Sequence, residues 1–208
     1  MIEYVLPADI EKRSFEIISQ ELEQRNIVLP KEQRLVTMRA IHTTADFDYA
    51  KTMQYSANAV DIARKLLLNG ADIVTDTNMA FTGINKKKLA QYGGQAHCFM
   101  ADEDVATEAK RRQVTRATIS MEKAMSIDKP VIFAIGNAPT ALISLHEIMQ
   151  KTGKKPDFVI GVPVGFVNVE AAKELIMESD IPYIVNRGRK GGSNVAAAIC
   201  NALLYQLY

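Results

Sequence analysis

The chain has 208 residues, enough for one substantial domain, and its 25 Lys and Arg against 24 Asp and Glu leave a formal net charge of +1. This even balance gives no sequence-wide reason to expect nucleic acid or an anionic membrane surface as a partner, so any anion site must be local. No apolar run approaches the roughly 18 residues that a membrane span needs, and the N-terminus lacks a secretory signal, which predicts a cytoplasmic protein.

The first seventy residues favour helices, whereas the rest of the chain alternates short apolar runs with helical patterns. Helical periodicity covers 10–25, 31–46 and 56–70. Brief apolar runs typical of buried strands follow at 71–76, 96–100, 130–136, 156–162 and 181–186. No repeat or linker divides the chain. The sequence predicts a single α/β domain over residues 1–208, with a mostly parallel, Rossmann-like sheet of about five strands, helices on both faces and a helical N-terminal segment.

Four of the predicted strands run into loops rich in glycine, proline and small polar residues. These loops read "TDTNMAFTGIN", "GNAPTAL", "GVPVGFVN" and "NRGRKGGSN", and each leads into a predicted helix. Ligands of open α/β sheets bind outside the carboxyl ends of the strands, where such loops gather. A single loop of this kind is explained by ordinary turn chemistry. Four loops on one predicted edge favour a ligand site there.

The last of these loops is the most basic. Arg187, Arg189 and Lys190 stand beside Gly188, Gly191 and Gly192, just before an Ala-rich helix. Glycines at a helix N-terminus expose backbone N–H groups, and guanidinium donors match carboxylates as well as phosphates. The loop fits neither GxGxxG nor GxxxxGK[ST] well, which weakens a nucleotide interpretation. The sequence predicts a local anion site, with a solvated basic turn as the alternative.

His42 is the candidate acid–base residue. In "RAIHTTAD" a helical period places it with Leu35, Met38 and Ala45, which predicts an imidazole on the apolar face of its helix rather than on the surface. No HExxH or Cys partner suggests a metal, and no GxSxG suggests a hydrolase. The alternative is a hydrogen-bonded core histidine, which is the interpretation given to His97 and His146. Otherwise His42 is a single acid or base that faces a large apolar substrate.

Five stretches, in this order, carry a resemblance to a known family. They read "RAIHTTADFDYA", "VTDTNMAFTGINKKKL", "GNAPTAL", "GVPVGFV" and "NRGRKGGSNVAAAICNAL", and they span nearly the whole chain. They resemble the motifs of the precorrin-8X and cobalt-precorrin-8 methylmutases. The resemblance implies an α/β homodimer that moves the ring-C methyl group of its substrate from C11 to C12, giving hydrogenobyrinate or cobyrinate.

The resemblance also implies roles for particular residues. His42 matches the family's histidine and would be the acid that protonates the macrocycle. The remaining positions are expected to contact the tetrapyrrole: Ser14, Arg39, Thr43, Met79, Gly83, Asn85, Arg116, Asn137, Gly165, Phe166, Arg187, Gly188, Arg189, Lys190, Gly191 and Gly192. Ser14 and Asn85 could instead bond a helix backbone, and Arg116 could be a surface cation. One departure is Ala171-Ala172 before Lys173, where the family commonly has Glu-Ser.

The implied chemistry needs no cofactor. A methyl shift within one molecule changes no oxidation state, so neither nicotinamide, flavin nor protein-bound metal is expected, and any cobalt is carried by the substrate. A wide apolar ring edged with carboxylates suits loops such as "PVGFV", "NMAF" and "RGRKGG". Two alternatives stay open. One is a non-catalytic corrinoid carrier, and the other, less supported, is a nucleotide-dependent oxidoreductase, which would need a glycine fingerprint.

Overall fold

The computed structural model describes residues 4–207, in which helices surround a single sheet. The strands are β1 Met53–Tyr55, β2 Asp72–Thr75, β3 Ala96–His97, β4 Val131–Ile135, β5 Phe158–Gly161 and β6 Tyr183–Asn186. The helices are α1 Ile10–Gln24, α2 Arg34–Thr44, α3 Tyr49–Thr52, α4 Ala59–Leu68, α5 Asn78–Gly83, α6 Lys86–Ala90, α7 Glu103–Arg112, α8 Arg116–Ala124, α9 Pro139–Thr152, α10 Val169–Met177 and α11 Ser193–Tyr205.

The strands form one sheet in the order β1-β6-β5-β4-β2-β3. Each neighbouring pair from β6 to β3 is parallel, which confirms the predicted five-stranded parallel sheet. Strand β1 is not predicted from the sequence. It pairs antiparallel with β6 and places Met53 opposite Asn186. β1 has three residues and lies at the edge, so it lacks the apolar run that marks a buried strand.

Helices cover both faces of the sheet, as predicted. Along β4 the side chains alternate between two cores: Ile132 belongs to the core with α1, α2, α4, α5 and α11, and Phe133 to the core with α8, α9 and α10. β5 repeats this pattern with Ile160 and Val159. All five residues of β4 are buried, which explains why its sequence "VIFAI" is continuously apolar.

Two features of the fold position the loops at the carboxyl edge. From β2 the chain crosses to β3 on one side, whereas β4 lies on the other side, so the sheet has its switch point between β2 and β4. On one face, α2 packs against α11, whose small residues allow close approach. This packing brings the end of α2 towards the loops that follow β2, β4, β5 and β6.

Within residues 4–207, no helix combines the length and the apolar character required to cross a bilayer.

Candidate active site

The loops after β2 and β4 are locked together by a buried carboxylate, Asp76. Its two oxygens accept the backbone N–H groups of Gly136 (2.9 Å), Asn137 (2.8 Å) and Ala138, and the residue is only 1% exposed. Burial raises the pKa of Asp76, while the three amide donors oppose that shift. Asp76 therefore sets the path of the chain around Asn137, an exposed residue of the predicted site.

The loops after β5 and β6 are joined through their backbones. The N–H of Gly165 donates to the carbonyl of Arg189 at 3.2 Å, and the N–H of Gly192 donates to the carbonyl of Val162 at 2.9 Å. A Cβ at Gly191 would lie 2.0 Å from the Val162 carbonyl oxygen, so this position requires glycine. The contact explains why glycine precedes α11: the last loop is pressed against the end of β5.

The remaining link joins the first loop to the last. The hydroxyl of Thr77, which also caps α5, lies 2.7 Å from the hydroxyl of Ser193 at the start of α11. The structure thus gathers all four loops that the sequence predicted at one edge of the sheet.

The three cations of the last loop are paired with carboxylates of the chain itself. Arg187 binds Glu174 through two bonds of 2.9 and 3.1 Å, and Arg189 binds Glu170 at 3.0 Å. Lys190 reaches Asp46 at 2.5 Å and Asp48 at 2.6 Å in the segment after α2. Its ammonium lowers the pKa of Asp46. A substrate carboxylate that binds here must compete with these partners, which lie too far away in the sequence to be foreseen.

His42 is exposed, and the prediction that it lies on the buried apolar face of α2 is wrong. That face consists of residues such as Val36, Ala40 and Ile41, which join the α11 core. Leu35, used to locate the face in the sequence, is itself 49% exposed. The packing of α2 against α11 decides which of its side chains point inward, and the helical period alone does not identify that face.

Aromatic and cationic side chains surround the exposed imidazole. The ring of His42 lies 5.5 Å from that of Phe15 on α1, centroid to centroid. The guanidinium of Arg39 lies 4.6 Å from the centroid of the same Phe15 ring and donates to Glu11 at 2.7 Å. Phe15 and Arg39 also line a hollow that reaches Ala202 and Tyr205 on α11. His42 is thus an accessible imidazole beside an aromatic ring and a cation.

Other predicted contacts near α1 and α2 differ in their surroundings. The half-buried Ser14 donates its hydroxyl to the carbonyl of Ile10 at 2.9 Å, so it bonds the backbone of its own helix. Thr43, which follows His42 on α2, is also half-buried.

The predicted residues of the first loop lie against α11. Asn85 caps α6 by accepting the N–H of Lys88 at 2.9 Å, and its amide donates to Tyr205 at 3.3 Å. A Cβ at Gly83 would lie 2.8 Å from that of Ala197, so close packing of α5 on α11 requires glycine here. Met79 differs from both, because it is 69% exposed on α5. Of these three residues, Met79 is the one whose side chain is largely exposed.

Two predicted residues extend the edge of the site. Phe166 is 81% exposed in the β5–α10 loop, and the Arg189 guanidinium lies 5.6 Å from its ring centroid. Arg116 is exposed at the start of α8 and has no ion-pair or hydrogen-bond partner within residues 4–207. Its neighbour Thr115 lies 3.4 Å from Thr140 in the first turn of α9, which places Arg116 at the same edge of the sheet.

The other two histidines are hydrogen-bonded away from these loops. His97 lies 2.8 Å from the buried Asp72, and His146 lies 3.2 Å from Ser179. Within residues 4–207, no group of three or more His, Cys, Asp or Glu side chains is placed to hold a metal ion.

The structural roles of Asp76 and Lys173 at these loops are not predicted from the sequence. Lys173 is wholly buried, and its ammonium donates to the carbonyls of Gly188 (2.6 Å) and Lys190 (2.9 Å). One signal was available, because Lys173 shares a helix face with the apolar Val169 and Ile176.

Comparison with known proteins shows one consistent family. The family model for precorrin-8X methylmutase matches residues 9–206. The chain is 42% identical to the cobalt-precorrin-8 methylmutase of Leptospira interrogans, covering 96% of this chain and 93% of that one. It is 41% identical to the cobalt-precorrin-8 methylmutase of Salmonella typhimurium, covering 97% and 96% of the two chains.

A solved structure extends the likeness to the fold. The crystal structure of the precorrin-8x methyl mutase from Thermus thermophilus superposes with a TM-score of 0.85 at 35% identity, covering 95% of this chain and 96% of that one. The family resemblance inferred from the motifs is confirmed: the chain belongs to the precorrin-8X methylmutase family and is an isomerase of cobalamin biosynthesis.

Proposed function

We propose that the enzyme moves the ring-C methyl group of precorrin-8, or of its cobalt form, from C11 to C12, with His42 as the acid. The observation that carries the proposal is the placement of His42, an exposed imidazole beside Phe15 and Arg39. The helix that bears it runs into Asp46, which is bound by Lys190 of the basic loop. A proton donor therefore lies next to a surface suited to a ring edged with carboxylates.

The surface offers both kinds of contact that such a substrate needs. Met79 on α5 and Phe166 in the β5–α10 loop are exposed apolar side chains. The basic loop supplies three cations, Arg187, Arg189 and Lys190. On substrate binding, each cation leaves its carboxylate partner within the chain and binds a carboxylate of the substrate. Placed proton donation contributes about 10²–10⁴-fold, and rigid positioning of the ring supplies further rate enhancement.

We also propose that the protein works as a homodimer and needs no cofactor of its own. The rearrangement is redox-neutral, so the chain has only to bind the ring, orient it and deliver a proton. Cobalt, where present, belongs to the substrate.

The migration of a labelled methyl group tests this function. Protein treated with chelator and desalted is incubated with precorrin-8 carrying carbon-13 in its ring-C methyl group. We expect the label to move from C11 to C12, as followed by NMR, without added metal or nucleotide. In a crossover mixture, substrate labelled both in this methyl group and in the ring is combined with unlabelled substrate, and product that carries only one of the two labels would contradict an intramolecular shift. Bound product with no turnover would indicate a carrier, and activity restored only by metal or nucleotide would contradict cofactor independence.

Removing the three loop cations together should weaken substrate binding. In the variant Arg187→Gln, Arg189→Gln and Lys190→Gln, we expect affinity for the corrin product to fall by roughly tenfold or more, because charge-assisted hydrogen bonds to its carboxylates are lost. Binding should also become less sensitive to salt. Titration of the corrin absorption at two ionic strengths measures both effects.

A matched control removes three other surface cations that are also paired with acids: Arg111, Lys151 and Lys155. Their replacement by Gln changes the net charge equally and should leave product affinity unchanged. Equal affinities for the two triple variants would assign the loop cations to the solvated surface.

A further inference from the structure

Lys173 is a buried cation that touches the basic loop from its inner side. It lies on α10, is 0% exposed, and its ammonium donates to the carbonyls of Gly188 and Lys190. The acids near it on α10 do not neutralise it directly, because Glu170 and Glu174 are paired with arginines of the loop. Lys173 is therefore held by backbone carbonyls, and the loop is folded around its charge.

This contact fixes the orientation of two peptide groups. In a trans peptide the N–H points away from the carbonyl of the same unit. Since the carbonyls of Gly188 and Lys190 point to the ammonium, the N–H groups of Arg189 and Gly191 point away from it. Neither N–H has an acceptor within the described residues 4–207. The loop thus directs its acceptors inward and leaves two amide donors free.

A second contact keeps the loop in this conformation. The amide of Asn186 donates to the carbonyl of Lys190 at 2.8 Å, and its oxygen accepts the hydroxyl of Thr52 at 2.6 Å. Gly191 is pressed against the Val162 carbonyl, as described above. The loop is therefore fixed at Lys190 and Gly191, whereas Gly188 has Lys173 as the side chain that binds its carbonyl.

We propose that Lys173 is a positioning residue for substrate binding: it holds the loop of residues 187–192 so that the N–H groups of Arg189 and Gly191 bind a substrate carboxylate. The proposal rests on the proposed function, since the carboxylate is one of the tetrapyrrole rim. Lys173 does not touch the substrate and takes no part in proton transfer. Its loss therefore affects binding and leaves the chemical step intact.

The charge of Lys173 gives the proposal a pH signature. Burial lowers the pKa of Lys173 to about 8. A carboxylate bound on the other side of the loop favours the charged ammonium, so binding takes up a proton and affinity falls as the pH rises through about 8. Stability behaves oppositely: the unfolded chain binds the proton more tightly, so the free energy of unfolding rises with pH between about 8 and the ordinary value of 10.5.

The neighbouring charged groups do not share this titration. The side chains that face Lys173 and its loop are carboxylates, guanidiniums, one ammonium and two phenols: Glu170, Glu174, Asp46, Asp48, Arg187, Arg189, Lys190, Tyr49 and Tyr183. Burial raises the pKa of Tyr49 to about 12, so its phenol stays neutral below pH 9. Carboxylates and guanidiniums keep their charge between about pH 7.5 and 9. The ion pairs with Asp46 and Asp48 raise the pKa of Lys190 further above that window. Lys173 is therefore the group of this cluster that changes charge between about pH 7.5 and 9.

Two variants and a pH series test the proposal. Lys173→Met removes the donors, and Lys173→Gln keeps an uncharged NH₂ donor. We expect KM and the dissociation constant of the corrin product to rise by about tenfold or more in the Met variant and by less in the Gln variant, with kcat within about threefold of wild type. Lys155→Met, a surface substitution of the same kind, should leave all three constants unchanged.

The wild-type enzyme provides an independent measurement. Its product affinity should fall between about pH 7.5 and 9, and this dependence should vanish in Lys173→Met. A wild-type affinity that is constant over this range, or a Met variant that loses kcat with an unchanged KM, would overturn the proposal. If wild-type protein shifts no methyl group, the proposed function fails instead, and the pH series on bound corrin still tests the loop.

Discussion

Replacing His42 by Asn is expected to reduce the rate of methyl transfer by roughly 10²-fold or more while the protein still binds the corrin product. Asn is close to imidazole in size and keeps a hydrogen-bonding group, but it cannot deliver a proton near neutral pH. Because His42 is exposed on α2, the substitution leaves the packing of Val36 and Ile41 against α11 intact. Single-turnover rate, product affinity and melting temperature, measured on one preparation, separate chemistry from folding.

His146→Asn is the matched control for this experiment. His146 lies on α9, where its ring contacts Ser179, remote from the loops of the candidate site. The control should turn over at the wild-type rate. If His42→Asn also turned over normally, the imidazole would have no part in the mechanism.

The second large effect is expected on stability, from Asp76→Ala. The substitution leaves the N–H groups of Gly136, Asn137 and Ala138 without their acceptor at the switch point of the sheet. Each unsatisfied buried donor costs about 1–3 kcal/mol, so a loss of about 3 kcal/mol or more is expected even if water reaches part of the loop. Urea unfolding measures the change.

Two further variants calibrate that result. Asp76→Asn keeps one acceptor oxygen and should be destabilised less than Asp76→Ala. Asp180→Ala removes an exposed aspartate that pairs with Lys155 on the surface, and it should change the unfolding midpoint little. Equal midpoints for Asp76→Ala and Asp180→Ala would show that the buried carboxylate does not hold the loop.

The parallel sheet could be predicted because its central strands, β2, β4 and β5, are buried on both faces. The run "VIFAI" is apolar at every position, and four further runs of mostly apolar residues alternate with helical patterns. β1 and α5 escaped prediction for the opposite reason. β1 has three residues and forms because β6 offers it a partner, and α5 is a six-residue helix within a segment that the sequence predicts as a loop.

The candidate site could be predicted in outline, because the carboxyl ends of parallel strands must share an edge. The ion pairs that decide the electrostatics of the site could not be predicted from the sequence. The acids that pair with Lys190 lie near residue 46, and no local pattern links them to a loop near residue 190. The exposure of His42 likewise depends on which face of α2 packs against α11. This tertiary contact cannot be read from the hydrophobic periodicity of "RAIHTTAD".

The pairing of α2 with α11 also bears on the order of folding. The contacts that complete the candidate site span long stretches of chain: Lys190 to Asp48 joins residues 142 apart, and Thr52 to Asn186 joins residues 134 apart. Closing such long loops lowers the chain entropy before any contact stabilises the closed state, so these contacts form slowly. The crossovers from β4 to β6 are local by comparison. The five parallel strands are therefore expected to assemble before β1 pairs with β6 and before the candidate site is complete. A chain that has acquired its parallel strands and helices is expected to stay inactive until the segment around residues 46–52 meets the loop of residues 187–192.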